Sequence, residues 1–589
     1  MQPSSSHILV VFSLLLGACQ PAETNSSLSE AVPIQQEMAT TEAWTRGAMI
    51  AAADPRAAAA GADVLRAGGH AVDAAIAAHA VLGLVEPQSS GLGGGAFMMV
   101  YTRATGDLTV YDGRETAPAR ADETLFMRDG APLDFVSAWQ SGRSVGVPSM
   151  VALYGEAHAA HGRAEWAGLF DPAIDLAENG FEVYPRLAGF LSSDRIRVAT
   201  RLDDHPVSAA YFYPDGSPLA IGDFRDNPAY AATLTAIAER GLAGFYNADV
   251  AARIVAVVNE APLPGLLSVD DILNYEVEIR APFCGPWRTM TVCGPPPPAS
   301  GGLTQIMLLG LYDRLLPPDA SPDDKLAAFV KAQQLTYADR DHYVADSDFV
   351  SVPVAELSDP AYLDARALQH DRPGASIGPG DPGIALGMDS LIDMWGRDMT
   401  ADAPGTTHLS IIDREGNAVS MTATVESPFG TSRMVNGFLL NNQLTDFALQ
   451  PDKNGRPVAN APAGLKRPRS SMSPTIIFDA NDDVILVIGS PGGSSIIAYV
   501  AKTILGIFDW GLSPYDAIKT PNIVARGDYV RVEADREYGP ETFETLTGIG
   551  FSTQELRGEA SGIHVILVDE TGLEGAADPR REGVAIGIQ

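Results

Sequence analysis

The sequence predicts an α+β fold, and three observations carry the prediction. Residues 150–275 read as mainly helical, with amphipathic stretches at 166–177 and 228–240. Strand-like runs lie ahead of that block, at 97–101 and 108–111, around a turn at Ala104-Thr105-Gly106. After Thr406 the pattern changes to strands, at 407–413, 418–425, 437–441, 475–478 and 484–488, followed by a helix over 495–508. Strands on both sides of a helical block are compatible with one large interlaced body.

The first elements are set by their punctuation. Asp54-Pro55 caps a helix, with proline at the first helical position, and Gly68-Gly69 stops it. Residues 73–85 are rich in alanine and almost free of charge, which predicts a buried helix. Gly91-Leu92-Gly93-Gly94-Gly95 has the look of a dinucleotide-binding loop, but it follows a helix and Pro87 instead of a strand, so close backbone approach beneath a site is the better reading. Cys284 and Cys293 flank a candidate hairpin over 285–292. Two buried thiols is the plainer expectation, and a disulfide in an oxidising compartment is the alternative. Pro295-Pro296-Pro297-Pro298 leads through a Gly-rich loop into a helix over 303–315.

With 589 residues, 46% of them apolar and 19% charged, the chain is globular. A net charge of −34 argues against nucleic acid as a partner, since phosphate contacts need a basic surface. Residues 8–18 are apolar but too few to span a bilayer, so 1–18 read as a signal peptide, although Met1 to His7 contain no Lys or Arg. Leu16-Gly17-Ala18-Cys19 resembles a bacterial lipobox, which would lipidate Cys19. Residues 19–42 then form a flexible tether. The expected location is the periplasm, with membrane contact only through that lipid anchor.

Gly405-Thr406-Thr407-His408-Leu409-Ser410 reads as a polar loop running into a strand that carries a hydroxyl nucleophile at its start, although from the hairpin alone an ordinary Thr-rich hairpin is the plainer expectation. A β-prone run reaches Asp413, a turn follows at 414–417, and 419–425 alternate strictly, with Ser420, Thr422 and Thr424 on one face. Pairing across the turn sets Asp413 opposite Ala418 and Val425 opposite Thr406, so Thr424 falls within one residue of Thr406. Further on, Gly492 and Gly493 lie between the strand ending at Ile488 and the following helix. Such a turn aims backbone N–H groups outward as an anion or oxyanion site, and no Gly-Lys-Ser/Thr follows to make it a phosphate loop. The ten histidines are scattered without ligand spacing, and no metal or cofactor is expected.

Thr406-Thr407-His408-Leu409-Ser410 resembles the processing site of the γ-glutamyltranspeptidase family of N-terminal-nucleophile hydrolases. Asn441-Asn442-Gln443-Leu444-Thr445-Asp446, Lys466-Arg467-Pro468-Arg469-Ser470-Ser471 and Gly489-Ser490-Pro491-Gly492-Gly493 resemble that family's later motifs, in order. Upstream, Gly68-Gly69-His70-Ala71-Val72-Asp73, Gly91-Leu92-Gly93-Gly94-Gly95 and Asp112-Gly113-Arg114-Glu115-Thr116 do the same. The resemblance spans roughly residues 45–589 and implies a four-layer αββα sandwich built jointly by a large subunit, 43–405, and a small catalytic subunit, 406–589.

The resemblance also implies a chemistry. Thr406 would cut the Gly405–Thr406 bond and become an N-terminal nucleophile whose own α-amine is the base. Thr424 would hydrogen-bond it, and Gly492 and Gly493 would form the oxyanion hole. A γ-glutamyl group bears an α-carboxylate and an α-ammonium. Arg114 with Ser470 and Ser471 would take the first, and Asp446 the second, helped by Gln443 and by Glu426, where some relatives carry Asn. The 447–466 segment corresponds to the family's lid and lacks the Tyr that covers the nucleophile in some relatives. Arg580, in Ala577-Asp578-Pro579-Arg580, reads as structural. The activity implied is γ-glutamyl transfer from glutathione to water, amino acids or dipeptides. The alternatives are a glutaryl or cephalosporin acylase of the same fold and, from another class, a processing-dead binding lipoprotein.

Overall fold

The computed structural model describes residues 46–589 except 261, 370–376, 399, 401–404 and 557–560; the leader, the tether and Cys19 lie outside the described residues. Strand β1 (Ala48–Ala52) leads to helix α1 (Pro55–Arg66). There Asp54 is the N-cap and accepts from the Arg56 backbone N–H at 2.8 Å. Helix α2 (Ala71–Val85) is buried at every position, as its composition predicts. Strands β2 (Gly95–Thr102) and β3 (Asp107–Gly113) form the expected hairpin. A mainly helical stretch follows, and the chain then returns to sheet at β4 (Glu278–Arg280), β5 (Phe283–Trp287) and β6 (Met290–Gly294). Helices α3 (Gly301–Leu315) and α4 (Pro322–Tyr343) come next. The last part holds β7 (Thr406–Ile412), β8 (Ala418–Thr424), β9 (Thr475–Phe478), β10 (Val484–Gly489), helix α5 (Ile496–Phe508), β11 (His564–Asp569), β12 (Gly572–Ala577) and β13 (Val584–Ile588).

These strands make two antiparallel sheets. One runs β13-β1-β7-β8-β2-β3-β4 and the other β12-β11-β10-β9-β6-β5. Successive side chains of the first sheet point to opposite faces. Met98, Val100, Leu409, Ile411, Val419 and Met421 join one core with α1 and α2. Phe97, Met99 and Ile412 join another with Ile476, Val487 and Ile566 of the second sheet and with α3 and α5. Helices, sheet, sheet, helices is the αββα sandwich expected from the resemblance.

Both faces of β7 and β8 are therefore buried, and their polar face lies between the sheets. Its hydroxyls are satisfied across that interface. Ser420 Oγ donates to Ile488 O at 3.1 Å, and Ser410 Oγ to His564 O at 2.9 Å. Gly489 sits where a Cβ would be 2.3 Å from the His408 ring, so the sheets close only over a glycine.

Three expectations need correction. The β7–β8 register is one residue away from the predicted one: Ile412, not Asp413, pairs with Ala418, and Thr406 pairs with Thr424 itself. The turn is tighter than its composition suggested. Asp413 N–H donates to Asn417 O at 2.9 Å, and Asp413 Oδ1 accepts from the backbone of Glu415 and Asn417, leaving a turn of Arg414-Glu415-Gly416 with Gly416 at φ +81°. The strand predicted at 437–441 shrinks to Phe438–Leu439, paired only with Met434–Val435 in a two-stranded ribbon. Cys284 and Cys293 face each other across β5 and β6 and are disulfide-bonded, so the two-thiol reading is overturned; register brings their Cα atoms to 4.1 Å.

The Gly-rich loop ahead of β2 fills the role expected of it. A Cβ on Gly93 would stand 2.0 Å from Leu439 O, and one on Gly94 2.0 Å from Thr424 O. The Thr424 carbonyl that Gly94 faces cannot yield without moving β8. Gly94→Ala should therefore destabilise the fold by about 1–3 kcal/mol and displace Thr424. Thermal melting and chain cleavage assayed together would check it, and a stable variant that matures normally would refute the contact.

Candidate active site

Thr406 opens β7 and Thr424 closes β8, so the pairing of these two residues brings their side chains together. Their Oγ1 atoms are 3.3 Å apart. Thr424 Oγ1 donates to Gly405 O at 2.5 Å and accepts from Glu426 N–H at 2.8 Å. Its one proton is thereby committed to the Gly405 carbonyl, so in the threonine pair Thr406 must be the donor. The Thr406 carbonyl in turn accepts from Arg581 Nη1 at 3.0 Å. Gly405 is hemmed in: a Cβ there would lie 2.5 Å from Glu426 O and 2.7 Å from the Ser427 carbonyl carbon. Glycine at this position serves packing as well as access to its carbonyl.

One cavity holds nearly all the residues singled out from the sequence. Arg114, Thr406, Thr424, Glu426, Gln443, Asp446, Ser470, Ser471 and Gly493 line it. Gly492 stands one step back, at φ +134°, where a Cβ would meet Tyr499 at 2.6 Å; Gly493 has φ +55°. Both backbone conformations favour glycine, and the turn feeds through residues 493–495 into the N-terminus of α5.

The charged residues are held from behind. Arg114 is 1% exposed; its Nε donates to Pro468 O at 3.2 Å, and its Nη2 to Arg469 O at 3.0 Å and Asp446 Oδ2 at 2.5 Å. Nη1 has no hydrogen-bond partner among the described residues. Gln443 Nε2 also donates to Asp446 Oδ2, at 2.8 Å. Ser470 Oγ accepts from Met472 N–H at 3.1 Å, and Ser471 Oγ accepts from Arg340 Nη2. Both serines thus have an accepting lone pair filled from the protein, which leaves their protons to donate into the cavity. Glu426 adopts φ +79° and its carboxylate accepts from Ser427 Oγ and, at 2.8 Å, from Asn442 Nδ2. The arrangement offers a hydroxyl nucleophile beside a donor cluster for a carboxylate and one acidic side chain.

Residues 57–588 match the family described as Gamma-glutamyltranspeptidase. The chain belongs to the γ-glutamyltranspeptidase family. It is 34% identical to the glutathione hydrolase proenzyme of Bacillus subtilis (strain 168) over 92% of this chain and 91% of that one. It is 32% identical to the glutathione hydrolase proenzyme of Escherichia coli (strain K12) over 98% of each. Among solved structures, a cephalosporin acylase from Bacillus halodurans superposes with a TM-score of 0.80 at 26% identity, covering 96% of this chain and 99% of its own. Helicobacter pylori γ-glutamyltranspeptidase gives 0.50 at 30% identity, covering 57% and 93%.

Sequence reasoning missed several members of the site. Arg340, on α4, donates through Nε to Ser300 Oγ at 3.1 Å and through Nη1 to Asp341 at 2.8 Å, besides reaching Ser471. The run Asp339-Arg340-Asp341 was the available signal: three adjacent charges, all buried. Asn442, Arg581 and Met472 carried no signal beyond their motifs. Arg580 is structural, as expected; it is tied to Glu533 at 2.6 Å and to Asp578 at 3.1 Å.

Behind Arg114 lies Glu115, fully buried, whose carboxylate has no side-chain partner. Burial raises it to about 8, and Arg114 offsets only part of the shift. A carboxyl group raised in the fold binds a proton that the unfolded chain has released. Its contribution to stability is therefore full below the unfolded value, near 4.5, and is lost as pH rises towards 8. Glu115→Gln should melt like the wild type at pH 4 to 5 and be more stable above pH 8, by on the order of 5 kcal/mol. Melting curves across that range would check it, and a difference that does not vary with pH would refute the assignment.

Proposed function

We infer that this protein is a self-processing γ-glutamyltransferase and glutathione hydrolase. The observation that carries the reading is the Thr406–Thr424–Gly405 chain of contacts opening into a cavity lined by Arg114, Asp446, Ser470 and Ser471. In the precursor Thr424 polarises the Gly405 carbonyl through its hydrogen bond. Thr406 Oγ1 adds to that carbonyl carbon, the C–N bond breaks, and the Thr406 nitrogen takes the proton. Water then hydrolyses the resulting ester, giving a Gly405 carboxylate, a free Thr406 α-amine, and subunits that end at 405 and begin at 406.

The freed amine, with an ordinary value near 7.7, takes the Thr406 hydroxyl proton as that oxygen attacks the γ-amide. The backbone N–H groups of the Gly492-Gly493 turn stabilise the oxyanion, aided by the N-terminus of α5. The departing amine takes the proton, leaving a γ-glutamyl ester on Thr406. Water releases glutamate from it; an amino acid or dipeptide amine receives the γ-glutamyl group instead in transfer. The donor's α-carboxylate meets Arg114 Nη1 and the two serine hydroxyls, and its α-ammonium meets Asp446 with Gln443 and Glu426 alongside. We also propose export to the periplasm, on the strength of the apolar run 8–18 and of Leu16-Gly17-Ala18-Cys19, with Cys19 as the lipidated residue.

A second reading, glutaryl or cephalosporin acylase, is favoured by the 0.80 superposition on an acylase of that class. Asp446 decides between the two. A glutaryl amide lacks the α-ammonium and forgoes its charge-assisted contact with Asp446, which is worth on the order of 1–3 kcal/mol.

Thr406→Ala should give one uncut, inactive polypeptide, where the wild type separates into two with Thr406 at the start of the smaller. Gel analysis and N-terminal sequencing decide this, and a cut Thr406→Ala protein would end the mechanism. The wild type should prefer γ-glutamyl-p-nitroanilide over glutaryl-p-nitroanilide by at least about tenfold in kcat/KM. Asp446→Asn should narrow that preference while self-cleavage continues. Equal rates on the two anilides would instead support the acylase.

A further inference from the structure

A second cavity, of about 350 Å³, lies on the helical side of the molecule and shares no lining residue with the active site. Arg433 forms part of its wall. This guanidinium is 4% exposed and donates to two carbonyls only: Nη1 to Thr431 O at 3.0 Å and Nη2 to Gln140 O at 2.8 Å. Among the described residues no carboxylate lies within ion-pair reach of it. That is unusual company for a buried arginine in this chain, although among the described residues the buried Lys466 and Lys502 are likewise held by carbonyl and amide oxygens alone. Arg114, Arg340, Arg366, Arg469 and Arg580 each pair with an aspartate or glutamate.

A buried cation without a counter-ion costs stability unless something else supplies the negative charge. Burial alone lowers Arg433 to about 10, which leaves it charged at any physiological pH. The charge therefore stays, facing a cavity large enough for a small molecule.

We propose that this cavity is a second ligand site, which takes the carboxylate of a small organic acid on the Arg433 guanidinium. A planar fork of N–H donors matches a carboxylate or a phosphate. Two features favour the singly charged ligand. Asp204 and Glu260 also line the cavity; Arg201, another lining residue, pairs with Asp204 at 2.6 Å, and the remaining charge of Glu260 disfavours a phosphate dianion. Val207, Val257 and Met434 supply apolar wall for a short hydrocarbon portion.

The position of Arg433 gives the site a reach beyond itself. It lies on the loop that leaves the active-site cavity at Glu426. That loop is wound through left-handed residues at Glu426, Phe429 and Ser432, with φ of +79°, +64° and +64°. Ser208, another lining residue, holds it through a hydrogen bond to Ser432 O at 2.6 Å.

Titrating butyrate into the processed wild-type enzyme should give a binding event that Arg433→Gln weakens about tenfold or more. Val207→Trp, which fills the cavity from an exposed rim position, should weaken the same event. Both variants should turn over γ-glutamyl-p-nitroanilide at the wild-type rate without butyrate, which separates loss of the site from loss of the fold. If Arg433→Gln fails to fold, the Val207→Trp comparison decides alone. Identical butyrate binding in all the proteins that fold, or no binding to the wild type, would overturn the proposal. Inorganic phosphate binding more tightly than butyrate would overturn the carboxylate assignment.

Discussion

The antiparallel pairing of Thr406 with Thr424 governs the geometry of the whole site. A strand side chain has only two directions, so a one-residue slip would turn one of the two hydroxyls away from the other. The register is held from several sides at once. Asp413 closes the turn at the far end, β1 and β2 flank the pair, and the glycine loop presses against Thr424 O. A hydroxyl is a weak nucleophile whose usefulness depends on placement. Here placement is a property of a seven-stranded sheet and not of a flexible loop.

The charges proposed for substrate recognition are arranged in a similar way. Arg114 and Asp446 face the same small cavity and bond to each other. Burying either alone would be costly, and each compensates the charge of the other. A zwitterionic α-amino acid head presents the complementary pair of charges. It can join the existing ion pair without leaving a buried charge uncompensated, which is the condition a partly desolvated site has to meet. Arg340 extends this behind Ser471, and Asp341 balances Arg340 in turn.

Much of this was legible in the sequence because local chemistry and fold agree. The Asp54 cap, the buried α2, the β7–β8 hairpin and the Gly-rich close approach each follow from residues that allow few alternatives. The site residues were legible through motifs, and the fold then gathered them in one place. What was not legible depended on distance in the chain. The register missed by one because the turn composition did not reveal how tightly Asp413 would bind its own backbone. The strand over 437–441 shortened to Phe438–Leu439, whose partner is the nearby Met434–Val435 and not either large sheet. The disulfide depended on a hairpin register, and Arg340 and Arg581 depended on contacts more than 100 residues away. Periodicity describes a face, and it carries no information on which distant group will meet that face.

Arg581 bears on what happens after the scission proposed at Gly405–Thr406. A newly made chain end ordinarily frays, since its first residues lose half of their covalent restraint. Here the first residue would be the one that must not move. Its carbonyl is gripped by Arg581, which lies beyond residue 405 and so stays on the same polypeptide as Thr406. Its strand is wedged between β1 and β8, one from each side of the cut. The break would therefore free an amine without freeing the strand that carries it, and the enzyme could gain its base while keeping the coordinates of its nucleophile.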